Sequence, residues 1–551
     1  MKFFGNLILF LAFFACNLNA QTKSDSIEQV IIFGKYLNID LTQDEADSLL
    51  GNLRNQKRNF SRLHEASVPN QLPFPFGFHP NSGNLSPAGK HSPSGWEPPE
   101  NIKLPSNREE LAFYSISELA ALLRSKQISS VELTELFINR LKKYGDSLYC
   151  VISLTDSIAF EQAKKADEEL KNGIDRGLLH GIPYGLKDLF FVKGTKTTFG
   201  SLIYENQESE TDAFVYLKLK EAGAVLCAKL SMGELAYGDR WFGGLTRNPW
   251  NLSQGSSGSS AGSASAVAAG LLPFAIGTET YGSIISPSIR CGTVGLRPSF
   301  GAISRTGAMV LSWSLDKIGP ICRNVKDAAI VFDYIKGKDN TDPSSIDYSF
   351  NYVPVSKVST LKIGYAENYY KNTNKESLPF KLISLLKDNN VPLIASNFPD
   401  SGSYDSGLIS IIIGAESAAA FDELTRTNKD DLIIRQDKAF WPNSFRGARF
   451  IPAVEYINAN RHRYTLIQKI NNYMKDFDVV IIPGPGGASL AITNLTGHPM
   501  ISLPIGLDNN GRPVSITLVG KMYEEGPMLA LAEKIQQITG FHNHKPPIFI
   551  P

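Results

Sequence analysis

The sequence is poor in cysteine, has almost no net charge and contains no long hydrophobic run after its first 20 residues. Five cysteines in 551 residues are too few for a disulfide-stapled fold, and no CxxC or Cys/His spacing indicates a metal site. Lys and Arg number 55 against 54 Asp and Glu, so the chain lacks the positive field of a nucleic-acid-binding protein. A hydrophobic content of 42% excludes a disordered chain. Since no later apolar run approaches the roughly 20 residues that span a bilayer, we expect no transmembrane segment.

The first 20 residues have the profile of an export signal. A short positively charged start precedes an apolar stretch at 7–15, and the sequence turns polar directly after Ala20. We therefore predict a signal peptide over residues 1–20 and an exported protein, periplasmic or secreted. A lipid anchor on Cys16 is the alternative, which Phe13 disfavours because such signals usually carry an aliphatic residue there.

Residues 21–110 differ in composition from the rest of the chain. A helical pattern rich in Leu, Asp and Arg covers residues 27 to about 65, and nine prolines fall within residues 69–105. Because proline interrupts helices and central strands, the second stretch is predicted to be an irregular strap on the main body or a link to it. We therefore predict an N-terminal helical and proline-rich extension over 21–110.

From residue 111 onwards, helical patterns alternate with short apolar runs. Capping-box sequences beginning at Ser115 and Ser129 predict two helix starts. Predicted strands cover residues 224–228, 272–276, 361–365, 479–483 and 514–519. Buried strands between helices are typical of an α/β domain with a large central sheet.

A serine- and glycine-rich segment at 253–265 contains seven Ser and three Gly in 13 residues. It continues directly into a small-residue helix and then a second Gly/Ser turn at 277–283, so it belongs to a packed core rather than to a flexible linker. Small residues packed in this way bring backbone N–H groups and hydroxyls together. Such a cluster suits the stabilisation of an oxyanion.

Two hydrolase interpretations fit this segment. The G-x-S-x-G match at 258–262 would make Ser260 the nucleophile of an α/β-hydrolase-like esterase, although that motif normally follows a buried strand and loop-like residues precede it here. The other interpretation uses Lys187, which lies in the apolar, turn-rich segment 181–188. A lysine held away from water has a lowered pKa and can accept a proton from serine. A structural ion pair with Asp188 is the alternative role for this lysine.

The sequence resembles the amidase signature family over approximately residues 115–520. The resemblance implies an α/β fold, with a single large domain over 111–547 whose central mixed β-sheet is covered by helices. It also implies hydrolysis of carboxamides without metal or organic cofactor. The matching motifs, in chain order, are G-I-P-x-x-x-K-D at 181–188, S-S-x-G-S at 259–263, G-T-E-T-x-G-S at 277–283, R-P-x-x-G-x-x-S at 297–304, S-L-D-x-x-G-P at 314–320 and N-x-x-G-x-P at 494–499.

The resemblance also implies roles for single residues. Ser283 resembles the family's nucleophile, and Lys187 resembles the neutral base. Ser259, 24 residues before Ser283, resembles the bridging serine that follows a non-proline cis peptide bond. Ser260 would help to hold the lysine network. An oxyanion hole would be formed by the backbone N–H groups of Thr280, Tyr281, Gly282 and Ser283.

Three positions depart from the family pattern and bear on the substrate. Ala261 replaces the first Gly of the usual Ser-Ser-Gly-Gly, Tyr281 stands beside the nucleophile where Gly or Asp is common, and Ile285 stands where several members have Arg. We expect Tyr281 and Ile285 to border the acyl pocket and to favour a neutral, partly apolar group. Neutral amides, including peptide C-terminal amides, should then be hydrolysed faster than glutamine.

We interpret the chain as an exported serine amidohydrolase that acts on a small-molecule or peptide amide, with no nucleic-acid partner. A role in the amidotransferase complex that serves tRNA is disfavoured, because it belongs with cytoplasmic partners and this chain carries an export signal. A non-catalytic exported protein that retains the amidase fold is a further alternative. It is disfavoured because all three catalytic positions are filled. The oligomeric state does not follow from the sequence.

Overall fold

A computed structural model describes residues 23–37, 39–65, 95–371 and 373–550. The predicted signal peptide, the alternative anchor at Cys16 and most of the proline-rich strap lie outside these ranges. Within them, no helix is both long and apolar enough to cross a membrane.

The centre of the molecule is an 11-stranded sheet in the order β1-β3-β2-β8-β10-β9-β14-β15-β13-β11-β12, with two small two-stranded sheets beside it, β4-β5 and β6-β7. The strands are β1 Val151–Leu154, β2 Pro183–Lys187, β3 Val225–Leu230, β4 Arg240–Trp241, β5 Gly244–Leu245, β6 Arg247–Asn248, β7 Asn251–Gly255, β8 Phe274–Glu279, β9 Val294–Arg297, β10 Lys317–Cys322, β11 Ile363–Ala366, β12 Leu393–Ser396, β13 Val479–Ile482, β14 Met500–Leu507 and β15 Pro513–Gly520. Strand β2 pairs in parallel with β3 and β8, whereas β10 pairs antiparallel with β8 and β9, so the sheet is mixed.

Helices cover the sheet and form the N-terminal extension. They are α1 Lys23–Tyr36, α2 Gln43–Glu65, α3 Ile116–Arg124, α4 Ser130–Leu148, α5 Asp156–Lys171, α6 Phe214–Glu221, α7 Ala261–Ala268, α8 Ile285–Cys291, α9 Val325–Ile335, α10 Glu367–Tyr370, α11 Leu378–Asp388, α12 Ser403–Ala420, α13 Asp422–Arg426, α14 Trp441–Ala448, α15 Ala453–Tyr473, α16 Ser489–Thr496 and α17 Glu525–Thr539. This architecture confirms the predicted α/β class with its central mixed sheet.

The capping boxes and apolar runs produce the elements that the sequence predicts. The hydroxyls of Ser115 and Ser129 each accept a hydrogen bond from the backbone N–H three residues on, and the glutamate there closes the box on the serine N–H. Each of the five predicted strands overlaps an observed one, with ends that differ by up to three residues. The helical pattern at 27–65 is divided into α1 and α2.

Strands β2 and β8 bring the sequence motif at 181–188 next to the motif at 277–283. Their parallel register pairs Gly185 with Ala275 and Leu186 with Ile276, so Lys187 at the end of β2 lies level with the last residues of β8. Strand β2 is fully buried, with Leu230 and Leu272 packed over Gly185. A Cβ on Gly185 would lie 2.5 Å from Leu230 Cδ1, so a larger residue here would displace the leucines packed over the strand.

The N-terminal helix α2 docks on the main body. Leu49 and Leu50 on one face are buried, and Leu63 near the other end belongs to a core cluster of the main domain. Gln56 Nε2 donates a 2.8 Å hydrogen bond to the carbonyl of Gly447, the glycine of α14. Burial of these side chains together with this polar contact holds α2 against α14 and α12.

Candidate active site

Lys187 is fully buried at the end of β2. Its Nζ lies 2.7 Å from Ser259 Oγ and 2.9 Å from Thr278 Oγ1. Burial lowers the pKa of Lys187 from 10.5 to about 7, against the opposing effect of the Asp316 and Glu279 charges. Near neutral pH the site therefore holds a buried amine that can lose its proton.

Asp188 is not the partner of Lys187. Its carboxylate lies 2.9 Å from Lys229 Nζ and also accepts hydrogen bonds from the N–H and the hydroxyl of Thr198. The structural ion pair considered from the sequence is therefore formed by Lys229, and Lys187 is left to bond hydroxyls alone among the described residues.

Ser259 follows a cis peptide bond between Gly258 and Ser259, as the family resemblance implies. Its side chain is almost completely buried, and its carbonyl accepts a 3.2 Å hydrogen bond from the N–H of Gly233. A Cβ on Gly258 would lie 1.8 Å from the carbonyl oxygen of Gly238, so only glycine fits before the serine.

Ser260 binds the backbone of β8. Its hydroxyl accepts a hydrogen bond from the N–H of Thr278 and donates one to the carbonyl of the same residue, both at 3.1 Å. Ser260 thus supports Lys187 indirectly, by fixing the threonine whose hydroxyl bonds the amine. A fully buried hydroxyl engaged in this way cannot reach a substrate, which argues against the alternative of an esterase with Ser260 as nucleophile.

Ser283 lies in the loop between β8 and α8 and lines a cavity of about 790 Å³. Its carbonyl accepts a 3.1 Å hydrogen bond from the N–H of Ser260, which ties the two serine loops together. No direct hydrogen bond joins the hydroxyls of Ser259 and Ser283 in the described part of the chain; catalytic hydrogen bonds often form only when substrate binds. Over the same ranges, the N–H groups of residues 280–283 donate to no protein acceptor.

Glu279 fixes the loop that carries Ser283. Its buried carboxylate accepts 2.9 Å hydrogen bonds from the N–H groups of Ile284 and Ile285, pairs with Arg297 at 2.7 Å and accepts from Asn494 Nδ2. Burial alone would raise the pKa of Glu279, but the Arg297 charge and these hydrogen bonds outweigh it and hold the pKa below its usual value.

No function follows from the sequence motifs alone for Glu279, Arg297 and Asn494. Each of them nevertheless stands inside one of the motifs that carry the family resemblance. Asp316, in the fifth motif, accepts a 2.6 Å hydrogen bond from the hydroxyl of Thr280. Their positions inside these motifs, close to the residues predicted to react, are the signal from which the sequence could have identified them as supports of the serine loop.

Of the two residues predicted to border the acyl pocket, one lines the cavity and the other is buried in the core. Tyr281 lines the cavity and is 41% exposed. Ile285 is fully buried in a hydrophobic cluster with Leu315 and Ile492 and does not line the cavity. The prediction for Ile285 is therefore corrected, because the turn into α8 directs its side chain to the core.

The cavity beside Ser283 has a volume of about 790 Å³. Tyr237, Tyr281 and Trp441 contribute aromatic surface from the main domain. The N-terminal extension lines the same cavity through α2, a contribution that the sequence does not predict. The α2 residues that line the cavity are Asn52, Asn55, Gln56, Arg58, Asn59 and Arg62.

Comparison with known proteins places this arrangement among amide-cleaving enzymes. The family model described as Amidase matches residues 132–529. A glutamyl-tRNA(Gln) amidotransferase subunit from Geobacillus sp. is 32% identical, with 79% of this chain and 99% of the relative covered. The structure of peptide amidase from Stenotrophomonas maltophilia superposes with a TM-score of 0.71 at 26% identity, covering 80% of this chain and 100% of that one.

Proposed function

This chain belongs to the amidase signature family, and on that premise we propose that it hydrolyses a carboxamide through an acyl-enzyme on Ser283. The reaction class, hydrolysis of a carbon–nitrogen amide bond, follows from the family. The observation that carries the proposed mechanism is the buried Lys187 amine 2.7 Å from Ser259 Oγ, in a loop whose Gly258 lines the same cavity as Ser283.

In the proposed mechanism, the proton of Ser283 passes through Ser259 to Lys187. A neutral amine has two N–H groups and one lone pair, so Lys187 can donate to Thr278 while it accepts the proton of Ser259. As Ser259 gives up that proton, its oxygen accepts the proton of Ser283. Ser283 Oγ then attacks the amide carbon, and a tetrahedral oxyanion forms.

The N–H groups of residues 280–283 are suited to stabilising that oxyanion. They lie in the loop that Glu279 holds in place and have no acceptor of their own in the described ranges. Collapse of the intermediate breaks the carbon–nitrogen bond, and the proton on Lys187 returns through Ser259 to the leaving nitrogen. Water then hydrolyses the acyl-enzyme by the same relay and restores the Ser283 hydroxyl.

The pH dependence of turnover tests the proposed base. Protonated Lys187 cannot accept a proton, so kcat/KM should fall about tenfold per pH unit below the lysine pKa of about 7 and reach a plateau above it. The measurement is kcat/KM for an uncharged amide from about pH 5 to about pH 9. A rate that declines as the pH rises through neutrality would contradict a lysine base.

We propose that the protein is exported, on the basis of the apolar stretch at 7–15 and the polar sequence that follows Ala20. Expression of the full chain with a C-terminal tag, followed by N-terminal sequencing of the mature protein, should give a chain that begins at Gln21 in the periplasmic or extracellular fraction. An intact N-terminus in the cytoplasm would refute export. It would also remove the ground for preferring free amide hydrolysis over the amidotransferase role named for the relatives.

A further inference from the structure

The charged side chains that the described residues contribute to the active-site cavity have one sign. Arg58 and Arg62 are the charged side chains among its lining residues, and no aspartate or glutamate of the described ranges lines it. Both arginines belong to the N-terminal helix α2, outside the residues matched by the family model. The near-zero net charge of the whole chain conceals this local positive wall.

The part of the cavity lining that α2 forms is held in place by contacts with the rest of the protein. Leu63, one residue beyond Arg62, is buried in the core, and Gln56 bonds the backbone of α14. Two glycines give α2 room: a Cβ on Gly447 would lie 2.7 Å from Asn52 Nδ2, and one on Gly407 would lie 3.0 Å from Asn59 Oδ1. The two arginines therefore lie on a helix that is packed against the rest of the protein.

Among the described residues, the two arginines have no opposing charge. No carboxylate within the described parts of the chain forms an ion pair with Arg58 or Arg62, although Asn55 Oδ1 accepts a hydrogen bond from the Arg58 guanidinium. Like charges four residues apart on a helix repel each other, and a bound anion would relieve that repulsion. Guanidinium groups bind carboxylates through two parallel hydrogen bonds, which gives both strength and orientation.

We propose that Arg58 and Arg62 bind a carboxylate on the substrate, remote from the amide that is cleaved. The substrate class is then an extended, peptide-like amide that carries an anionic group, since a cavity of about 790 Å³ accommodates more than a small primary amide. This inference rests on the proposed function for the position of the scissile amide at Ser283. It replaces the expectation that the preferred substrates are neutral.

The test compares two series of C-terminally amidated alanine peptides of increasing length, one capped with N-succinyl and the other with N-butanoyl. The caps have the same carbon chain and differ in the terminal carboxylate. For the length that spans the cavity, kcat/KM for ammonia release should be about tenfold higher with the succinyl cap. Because exposed charges are screened by salt, this ratio should decrease at high ionic strength.

Variants of α2 connect that preference to the two arginines. The double substitution Arg58→Gln and Arg62→Gln should bring the ratio close to one, and substitution of both by lysine should retain part of the preference. Arg54→Gln is the matched control: Arg54 lies on the same helix but does not line the cavity, and the ratio should stay as in the unmodified protein. Thermal unfolding establishes that each variant is folded.

Binding separates this inference from the proposed function. Calorimetric titration of the Ser283→Ala protein should give tighter binding of the succinyl peptide, independently of turnover. A ratio near one at every length, in both binding and turnover, would overturn the carboxylate site, as would a preference that survives replacement of both arginines by glutamine. Persistent hydrolysis by the Ser283→Ala protein would instead refute the proposed function while the binding ratio still decided the carboxylate site.

Discussion

Replacing Ser283 with alanine is expected to lower kcat/KM for amide hydrolysis by about 10⁴-fold or more, because the acyl-enzyme can no longer form. Ser283 combines a place in the cavity wall with a backbone hydrogen bond to the loop that Lys187 contacts. The measurement is ammonia release from an amidated peptide. Labelling by a serine-reactive fluorophosphonate should disappear in the same variant.

Ser260→Ala provides the matched control for that experiment. It removes a hydroxyl from the same pair of loops, but one that is buried against the backbone of Thr278. Fluorophosphonate labelling should persist in this variant, even if the rate decreases. If labelling is lost in the Ser260→Ala variant and retained in the Ser283→Ala variant, the assignment is reversed and the esterase alternative is supported.

Replacing Lys187 with methionine is expected to reduce kcat by about 10²- to 10⁴-fold, the range that a positioned general base contributes. Methionine fills a similar volume in a fully buried position, so the variant removes the amine with little change in packing. The hydroxyls of Ser259 and Thr278 lose their shared partner. Steady-state kinetics on a variant with a cooperative unfolding transition measure the effect.

The pH profile of this variant distinguishes a base from a structural lysine. The remaining activity of Lys187→Met should no longer rise through pH 7, because the group with that pKa is absent. A variant that loses activity yet keeps the same rise would show that another group provides the observed titration. Lys229 is unsuitable as a control, because its removal would leave Asp188 buried without its ion-pair partner.

The sequence predicts those parts of the fold and site that depend on local pattern. Apolar runs such as 479–483 locate buried strands because a strand covered on both faces has little polar sequence. The motifs select Lys187, Ser259 and Ser283 as candidates although they are distant in the chain, and Lys187 Nζ lies 2.7 Å from Ser259 Oγ. Strand β2 escapes prediction because Pro183–Lys187 has no β-branched residue, and its conformation comes from pairing on both sides.

Contacts between distant segments are what the sequence does not reveal. The hydrogen bond from Gln56 to Gly447 joins residues 391 positions apart, and no periodicity in α2 indicates that its polar face would complete a cavity. Likewise, the motif locates the turn after Ser283 but not the direction of the side chains that follow it. The sequence therefore predicts Ile285 in the pocket, whereas its side chain lies in the core.

In the proposed mechanism, the hydrogen bonds by which Glu279 holds the serine loop lower the barrier to reaction. The loop N–H groups are oriented when the protein folds, by an anchor that includes Arg297 from β9 and Asn494 from α16. Water around a free amide must reorient as charge develops on the carbonyl oxygen, whereas dipoles fixed in advance need no such reorganisation. The entropy of arranging them is lost once, during folding, and not again in each turnover.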